Sequence, residues 1–157
     1  MALAEKLEGA PHSKQSLRLW LRLLTCATTI EKKARAMLVE RFATTLPRFD
    51  VLAALDRAPD GLTMGALSGQ LLVSNGNVTA IVARLVADGL VSRTQERGDR
   101  RVLRVKLTAR GRRDFRLFAA EHERWIECLL GDLGEGEVQQ LLAGLARVKT
   151  SIERSGL

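Results

Sequence analysis

The chain has 157 residues and a formal net charge of +7, with an isoelectric point near 10.2. That length suits one compact domain with helical extensions, and 46% hydrophobic residues exclude a disordered composition. The basic balance points to polyanions, with nucleic acid and anionic membrane as the first partners to consider.

The charge is unevenly spread. Between Leu90 and Arg124 there are eleven Lys or Arg against five Asp or Glu, so this segment alone supplies +6 of the +7. Aromatic residues are only 4% and Tyr is absent, so Leu, Val and Ala must fill the core of a mostly helical protein. The start, "MALAEKLEGAPHSKQ", lacks the apolar stretch of a signal peptide. The uncharged run Gly61–Ala83 is interrupted throughout by Thr, Ser, Gln and Asn and does not read as a membrane span. These features predict a cytoplasmic protein with no membrane partner, in which the glycosylation sequon Asn77-Val78-Thr79 is accidental. Cys26 and Cys128 lie in apolar helical patterns, where buried free thiols are expected. His12 and His122 have no partner pattern, and no zinc, Walker or nucleophile-elbow motif is present. The sequence therefore predicts no enzyme, no metal and no cofactor.

In chain order, a first long helix is expected from about Ser16 to Phe42, with Leu17, Leu21, Leu24, Thr28, Ala34 and Leu38 at helical intervals. A second begins near Pro47, a residue suited to a first turn, and carries Phe49, Val51, Leu52 and Leu55 before the turn residues Pro59, Asp60 and Gly61. Thr63 then caps a short helix, Met64–Leu72.

"VSNGNVTAIVARLVADGLVSR" is ambiguous at first sight. Asn75-Gly76 signals a hairpin, and the β-branched residues after it favour a strand. The apolar positions Val78, Ile81, Val82, Leu85 and Val86 decide for a helix, because steps of three and one share a helical face. Ser74 serves as N-cap and Gly89 as the left-handed C-terminal residue. The block thus reads as helix, tight turn at Val73–Ser74, and helix, Asn75–Asp88, a helix-turn-helix.

The opposite face of this second helix carries Gly76, Ala80, Ala83 and Ala87, flanked by Asn77 and Arg84 on one side and Thr79 on the other. A bare flank bordered by amide, hydroxyl and guanidinium groups suits a major groove. An Ala-rich helix packed on protein is the blander alternative. Two β-prone runs follow, Leu90–Thr94 and Val102–Leu107, around the turn-like "QERGDRR". They predict a hairpin wing tipped by Arg97, Arg100 and Arg101, with Asp99 orienting one of them through a charge-assisted pair.

Two terminal helices close the chain, roughly Ala109–Leu130 and Glu135–Arg154, separated by "GDLGEGE". The fold class expected is mainly α with a small β-hairpin wing, a winged helix-turn-helix with N- and C-terminal helices forming a dimerisation domain. Its parts would be residues 1–46, a winged block 47–107, and 108–157. The terminal helices show more apolar surface than so small a block can cover, which favours a homodimer built by the ends over an intramolecular bundle.

Together, "LSGQLLVSNGNVTAIVARLVADGLVSR" and the wing "ERGDRRVLRVKLTARGR" resemble the MarR family of bacterial transcriptional regulators, and the likeness spans roughly Leu17 to Ile152. The resemblance implies a homodimer that binds a pseudopalindromic duplex DNA operator, usually as a repressor, and releases it when a small ligand binds. By position, Ser74, Asn75, Asn77, Thr79 and Arg84 match recognition-helix contacts, and Asp99 and Arg101 match the family's Asp-x-Arg wing pair. With Thr63, Arg97 and Arg100 they complete the expected DNA-binding set. "LPRFDVLAALDRAPDGLTMGALSGQLLVSNGNVT" further resembles the branch linked to aromatic-acid degradation, which implies an aromatic acid or its coenzyme A thioester as effector. Trp20, Arg22, Arg35, Phe49 and His122 correspond by position to the family's pocket, although core packing accounts for Trp20 and Phe49 equally well. The chain lacks Tyr, and neither cysteine matches the N-terminal sensing thiol of the peroxide-responsive branch. Two alternatives remain open: a thiol-redox regulator using Cys26 or Cys128, and a winged-helix module for protein–protein contact.

Overall fold

The computed structural model describes residues 11–71, 75–96 and 98–156. Six helices and three strands follow one another in the order α1 (Pro11–Phe42), α2 (Leu46–Asp56), β1 (Leu62–Thr63), α3 (Met64–Gln70), α4 (Asn75–Ala87), β2 (Val91–Glu96), β3 (Asp99–Leu107), α5 (Ala109–Leu129) and α6 (Glu135–Arg154) among these residues. They fall into two compact units, the first ending at Phe115 and the second beginning at Arg116.

The first unit is built around α2. Thr45 accepts a hydrogen bond from the Arg48 amide at 3.4 Å, and Pro47 occupies the first turn, where its missing N–H costs nothing. The helix buries Phe49, Val51, Leu52, Ala54 and Leu55. Against this core lie Ala34, Met37 and Leu38 of α1, Leu67 of α3, and Val78, Ile81, Val82 and Leu85 of α4, all buried. Phe115 closes it, its ring 5.5 Å from that of Phe49. Each fully buried Leu or Val contributes about 1.5–3 kcal/mol of apolar transfer. The α4 stripe is thus a large part of what holds the helix in place. α1 begins at Pro11, earlier than the expected Ser16, and leaves through Ala43, whose φ of 49° places it in the left-handed region.

The sheet is antiparallel with order β1-β3-β2. The hairpin was expected, but β1 was not. It pairs Leu62 with Val105 and Thr63 with Arg104. Two residues are too few to show an alternation, and their partners lie some forty positions onward, so no local pattern announces this strand. Gly61 makes the pairing possible: its φ is +82°, and a Cβ there would fall 2.5 Å from both the Val105 carbonyl oxygen and the Lys106 Cγ.

Two strand boundaries also differ from expectation. β2 and β3 run further toward the tip than Leu90–Thr94 and Val102–Leu107, with Glu96 opposite Asp99 and an irregularity at Gln95/Glu96. Arg100 and Arg101 therefore belong to the ribbon rather than to a loop. Gly98, with φ of 108°, lets the chain reverse over so short a span. α3 ends at Gln70, short of the expected Leu72, because Leu71 is already extended.

The second unit holds the rest of α5 and all of α6. Glu137 accepts from the Gly134 amide at 2.8 Å and so closes the first turn of α6. None of the α6 residues is buried, and Leu141, Leu142, Leu145 and Ile152 are all exposed.

Candidate nucleic-acid interface

The stretch that looked like a hairpin is helix α4, and its end explains why a strand can follow at once. The Leu90 amide donates to the Leu85 carbonyl at 3.0 Å and the Gly89 amide to that of Val86 at 3.0 Å, while Gly89 has a φ of 73°. This pair of bonds with a left-handed glycine is a Schellman motif, and Leu85 and Leu90, the positions where its apolar contact forms, are both buried. β2 then starts at Val91.

With Val78, Ile81, Val82 and Leu85 turned into the core, the other side of α4 is left to solvent. Asn77, Thr79, Ala80, Ala83, Arg84 and Ala87 are exposed. The helix therefore presents the small, polar-flanked face that the sequence predicted. Asn75 opens the helix. Ser74, expected as its N-cap and as a DNA contact, lies outside the described residues, as does Val73 of the turn between α3 and α4.

Thr63 is half-buried, and its hydroxyl accepts from the Ala66 amide at 3.1 Å, so its side chain caps α3. In the wing, Asp99 Oδ1 accepts from the backbone N–H of Arg101 at 2.9 Å. The expected partner of this carboxylate was a guanidinium; the structure shows it fixing the ribbon's backbone beside the reversal. Arg101 is exposed, Arg100 lies in β3, and Arg97 is outside the described residues. Arg93 on β2 is exposed as well, a basic residue outside the expected set whose only signal in the sequence is its place in the strand before the tip.

The wing is anchored from behind. Thr108 Oγ1 donates to the Gly89 carbonyl at 2.7 Å and accepts from the Gly111 amide at 2.9 Å. One hydroxyl thus ties the end of α4 to the start of α5. Arg104 Nη1 donates to the Gly61 carbonyl at 3.1 Å, fastening β3 to the β1 turn.

Of the expected effector residues, Trp20, Arg22, Arg35 and Phe49 lie in the first unit. Phe49 belongs to the core, packed on Phe115. Trp20, Arg22 and Arg35 are exposed along α1, and Arg35 is paired with Glu31 one turn before it. At 1.5 Å per residue, Trp20 and Arg35 stand about 22 Å apart along the axis. His122 belongs to the second unit, where its ring lies 6.1 Å from that of Trp125. Among the described residues, one groove of about 550 Å³ runs along Thr28, Thr29, Lys32, Lys33 and Ala36, and another along Ala146–Ser155. Neither is lined by any of the five. Cys26 and Cys128 are exposed rather than buried. Among the described residues no acidic, Cys or His cluster suits a metal ion, and no helix is long and apolar enough to cross a membrane.

A helix-turn-helix whose second helix shows a small polar face, followed at once by a basic β-ribbon, defines a winged-helix DNA-binding protein. Comparison with known proteins gives the class a family. Residues 44–102 match the MarR family model. Over 152 residues the chain is 30% identical to the transcriptional activatory protein BadR of Rhodopseudomonas palustris, covering 94% of this chain and 86% of BadR. A crystal structure of a MarR family transcriptional regulator from Silicibacter pomeroyi is 31% identical, superposes with a TM-score of 0.78, and covers 92% of this chain and 99% of that one. The fold is also that of Streptococcus pneumoniae FabT in complex with DNA, with a TM-score of 0.71 at 24% identity over 88% of this chain and 97% of FabT. The chain belongs to the MarR family: it is a DNA-binding transcriptional regulator and not an enzyme.

Proposed function

We propose that the protein acts in the cytoplasm as a homodimer on a pseudopalindromic operator, and that a small ligand alters its hold on the DNA. In this reading, residues 47–107 read DNA, and residues 1–46 and 108–157 hold the two copies together. The observation that carries it is the division of α4 into a buried stripe and an exposed small face, set beside a ribbon bearing Arg93, Arg100 and Arg101. Asn77 and Thr79 supply base readout with Asn75, while Arg84 and the wing arginines supply phosphate or minor-groove contacts. Ser74 and Arg97 belong to the proposed contact set by their positions in the chain, and Thr63 supports it by holding α3. The homodimer is supported by the exposed Leu141, Leu142, Leu145 and Ile152 of α6 and Leu17, Trp20 and Leu24 of α1, a surface that water disfavours.

The effector is an aromatic acid or its coenzyme A thioester, a reading that rests on the family resemblance. Trp20, Arg22 and Arg35 remain its contacts, with His122 as the contribution of the second unit; the buried Phe49 serves packing instead. The family resemblance makes the protein a repressor, whereas BadR, described as activatory, favours the opposite sign. A reporter fused to the operator, with and without the regulator, decides between them.

Titrating salt against binding to an operator duplex tests the core of the proposal. Affinity should fall steeply between about 50 and 200 mM salt as counterions are released, and Arg100→Ala with Arg101→Ala should abolish binding. Salt-insensitive binding overturns the proposal. One observation favours a second trigger: both thiols are exposed. Peroxide treatment that leaves operator affinity unchanged removes it.

A further inference from the structure

The ion pairs Arg35–Glu31, Arg110–Asp114, Arg124–Glu121 and Lys149–Glu153 each join neighbours on one helix. Arg48–Asp88 is different. It spans 40 positions of sequence, with Arg48 Nη2 donating to Asp88 Oδ2 at 2.5 Å, and it fastens the first turn of α2 to the residue just past α4. The arginine is well covered, with 22% of its side chain exposed.

Both charges stand at the unfavourable end of their own helix. The N-terminus of a helix carries partial positive charge and the C-terminus partial negative charge. Yet Arg48 lies in the first turn of α2, and Asp88 follows the last turn of α4. Neither residue is explained by what it does for its own helix. Each is explained by the other. The Asp88 backbone carbonyl is held as well, accepting from Arg110 Nη1 of α5 at 3.3 Å. The end of α4 is therefore gripped from two elements, both within the first unit.

The other end of this link is the elbow between α1 and α2. Ala43 is left-handed, with φ of 49°, Thr44 is buried, and Thr45 caps α2 three residues before Arg48. The ion pair thus connects this elbow, by way of the first turn of α2, to the end of α4.

We propose that Arg48 is a positioning residue for the DNA-reading helix, acting through Asp88 to set how α4 is presented to a duplex. This inference rests on the reading of α4 as the recognition helix. Asp88 lies about 20 Å along the helix axis from Asn75, at the far end from Asn77 and Thr79, so its effect on readout passes through the helix.

The test uses the full-length protein, a duplex recovered by in vitro selection from a random library, and a scrambled duplex of equal length. Arg48→Ala and Asp88→Ala should each lower the ratio of selected to scrambled affinity by roughly tenfold, the size of coupling that contacting residues show. The slope of affinity against salt should stay unchanged. The reversed pair, Arg48→Glu with Asp88→Arg, should restore the ratio, because it keeps the bridge and moves each charge to the favourable end of its helix. If Arg48→Ala instead lowers the salt slope by about one while Asp88→Ala leaves the ratio intact, Arg48 is a phosphate contact and the proposal fails. Failure of the reversed pair to rescue a normally folded protein, judged by circular dichroism, also overturns it. Asn77→Ala separates the two levels. If it leaves the ratio unchanged, the reading of α4 itself has failed; if it lowers the ratio while the Arg48 and Asp88 variants do not, only the positioning role has failed.

Discussion

Gly111, in the first turn of α5, lies directly beneath the backbone of Leu90. A Cβ built on Gly111 would sit 1.9 Å from the Leu90 carbonyl oxygen and 2.8 Å from its carbonyl carbon. That oxygen is already engaged, accepting from the Thr108 amide at 3.0 Å. The crossing of α5 under the start of β2 therefore depends on a residue with no side chain. Gly111→Ala cannot be absorbed by a flexible neighbour, because the obstacle is main chain. The cost should be at least about 1–3 kcal/mol, as for overpacking elsewhere, and a urea melt should show a lower midpoint with an unchanged slope.

Leu85 bears a different load. It is fully buried within the α4 stripe and its carbonyl closes the Schellman motif with Leu90. Leu85→Ala should cost about 2–5 kcal/mol, the range for a large-to-small change in a core. Ala83→Ser, on the exposed side of the same helix, should cost less than about 0.5 kcal/mol yet alter operator affinity. The contrast between the two, read by thermal melt and by binding, separates the face that holds α4 from the face that reads DNA.

How much of this was legible in the sequence follows from which forces are local. The α4 stripe was, because the partners of Val78 are one and two turns away on the same helix. So were the Thr63 cap and the Gly89 stop, which depend on three or four consecutive residues. β1 was not, since Leu62 and Thr63 acquire their meaning from Val105 and Arg104. The Arg48–Asp88 bridge was hidden for the same reason. The exposure of Cys26 and Cys128 was hidden differently. Periodicity marks an apolar face but does not say whether this chain or another copy covers it. The five effector residues were placed by resemblance alone, because pocket geometry leaves no periodic trace.

Thr63 stood among the expected DNA contacts, and its hydroxyl is committed to the Ala66 amide. Thr63→Ala should cost about 1 kcal/mol of stability, as other N-cap deletions do. Thr63→Ser should restore most of it. The salt slope of operator binding should not change in either variant, since no cationic group is removed.

The α6 stripe provides a test of assembly. Leu141 and Leu145 are one turn apart, 52% and 46% exposed, and no α6 residue is buried. Glu at both positions removes nothing from the core of this chain. Sedimentation should show the double variant shifting from dimer to monomer, while circular dichroism retains the helical signal. Operator affinity should fall with it, because a monomer engages only one half-site.

Asp99 offers a prediction whose sign discriminates between two effects. Its carboxylate holds the Arg101 amide at 2.9 Å on a ribbon that must approach a polyanion. By charge alone, Asp99→Ala should strengthen DNA binding, since a negative group is removed from the interface. By geometry it should weaken binding, because the amide loses its acceptor and the wing loses definition near the reversal at Gly98. A hydrogen bond to a charged group contributes about 1.5–3 kcal/mol, while an exposed charge acting at a distance through salt contributes less than about 1 kcal/mol. Geometry should win, and Asp99→Ala should bind the operator more weakly at 150 mM salt. Lowering the salt to about 10 mM lengthens the screening distance to roughly 30 Å and favours the charge effect, so the deficit should narrow. A variant that binds more tightly at both salt concentrations would show that Asp99 contributes only repulsion.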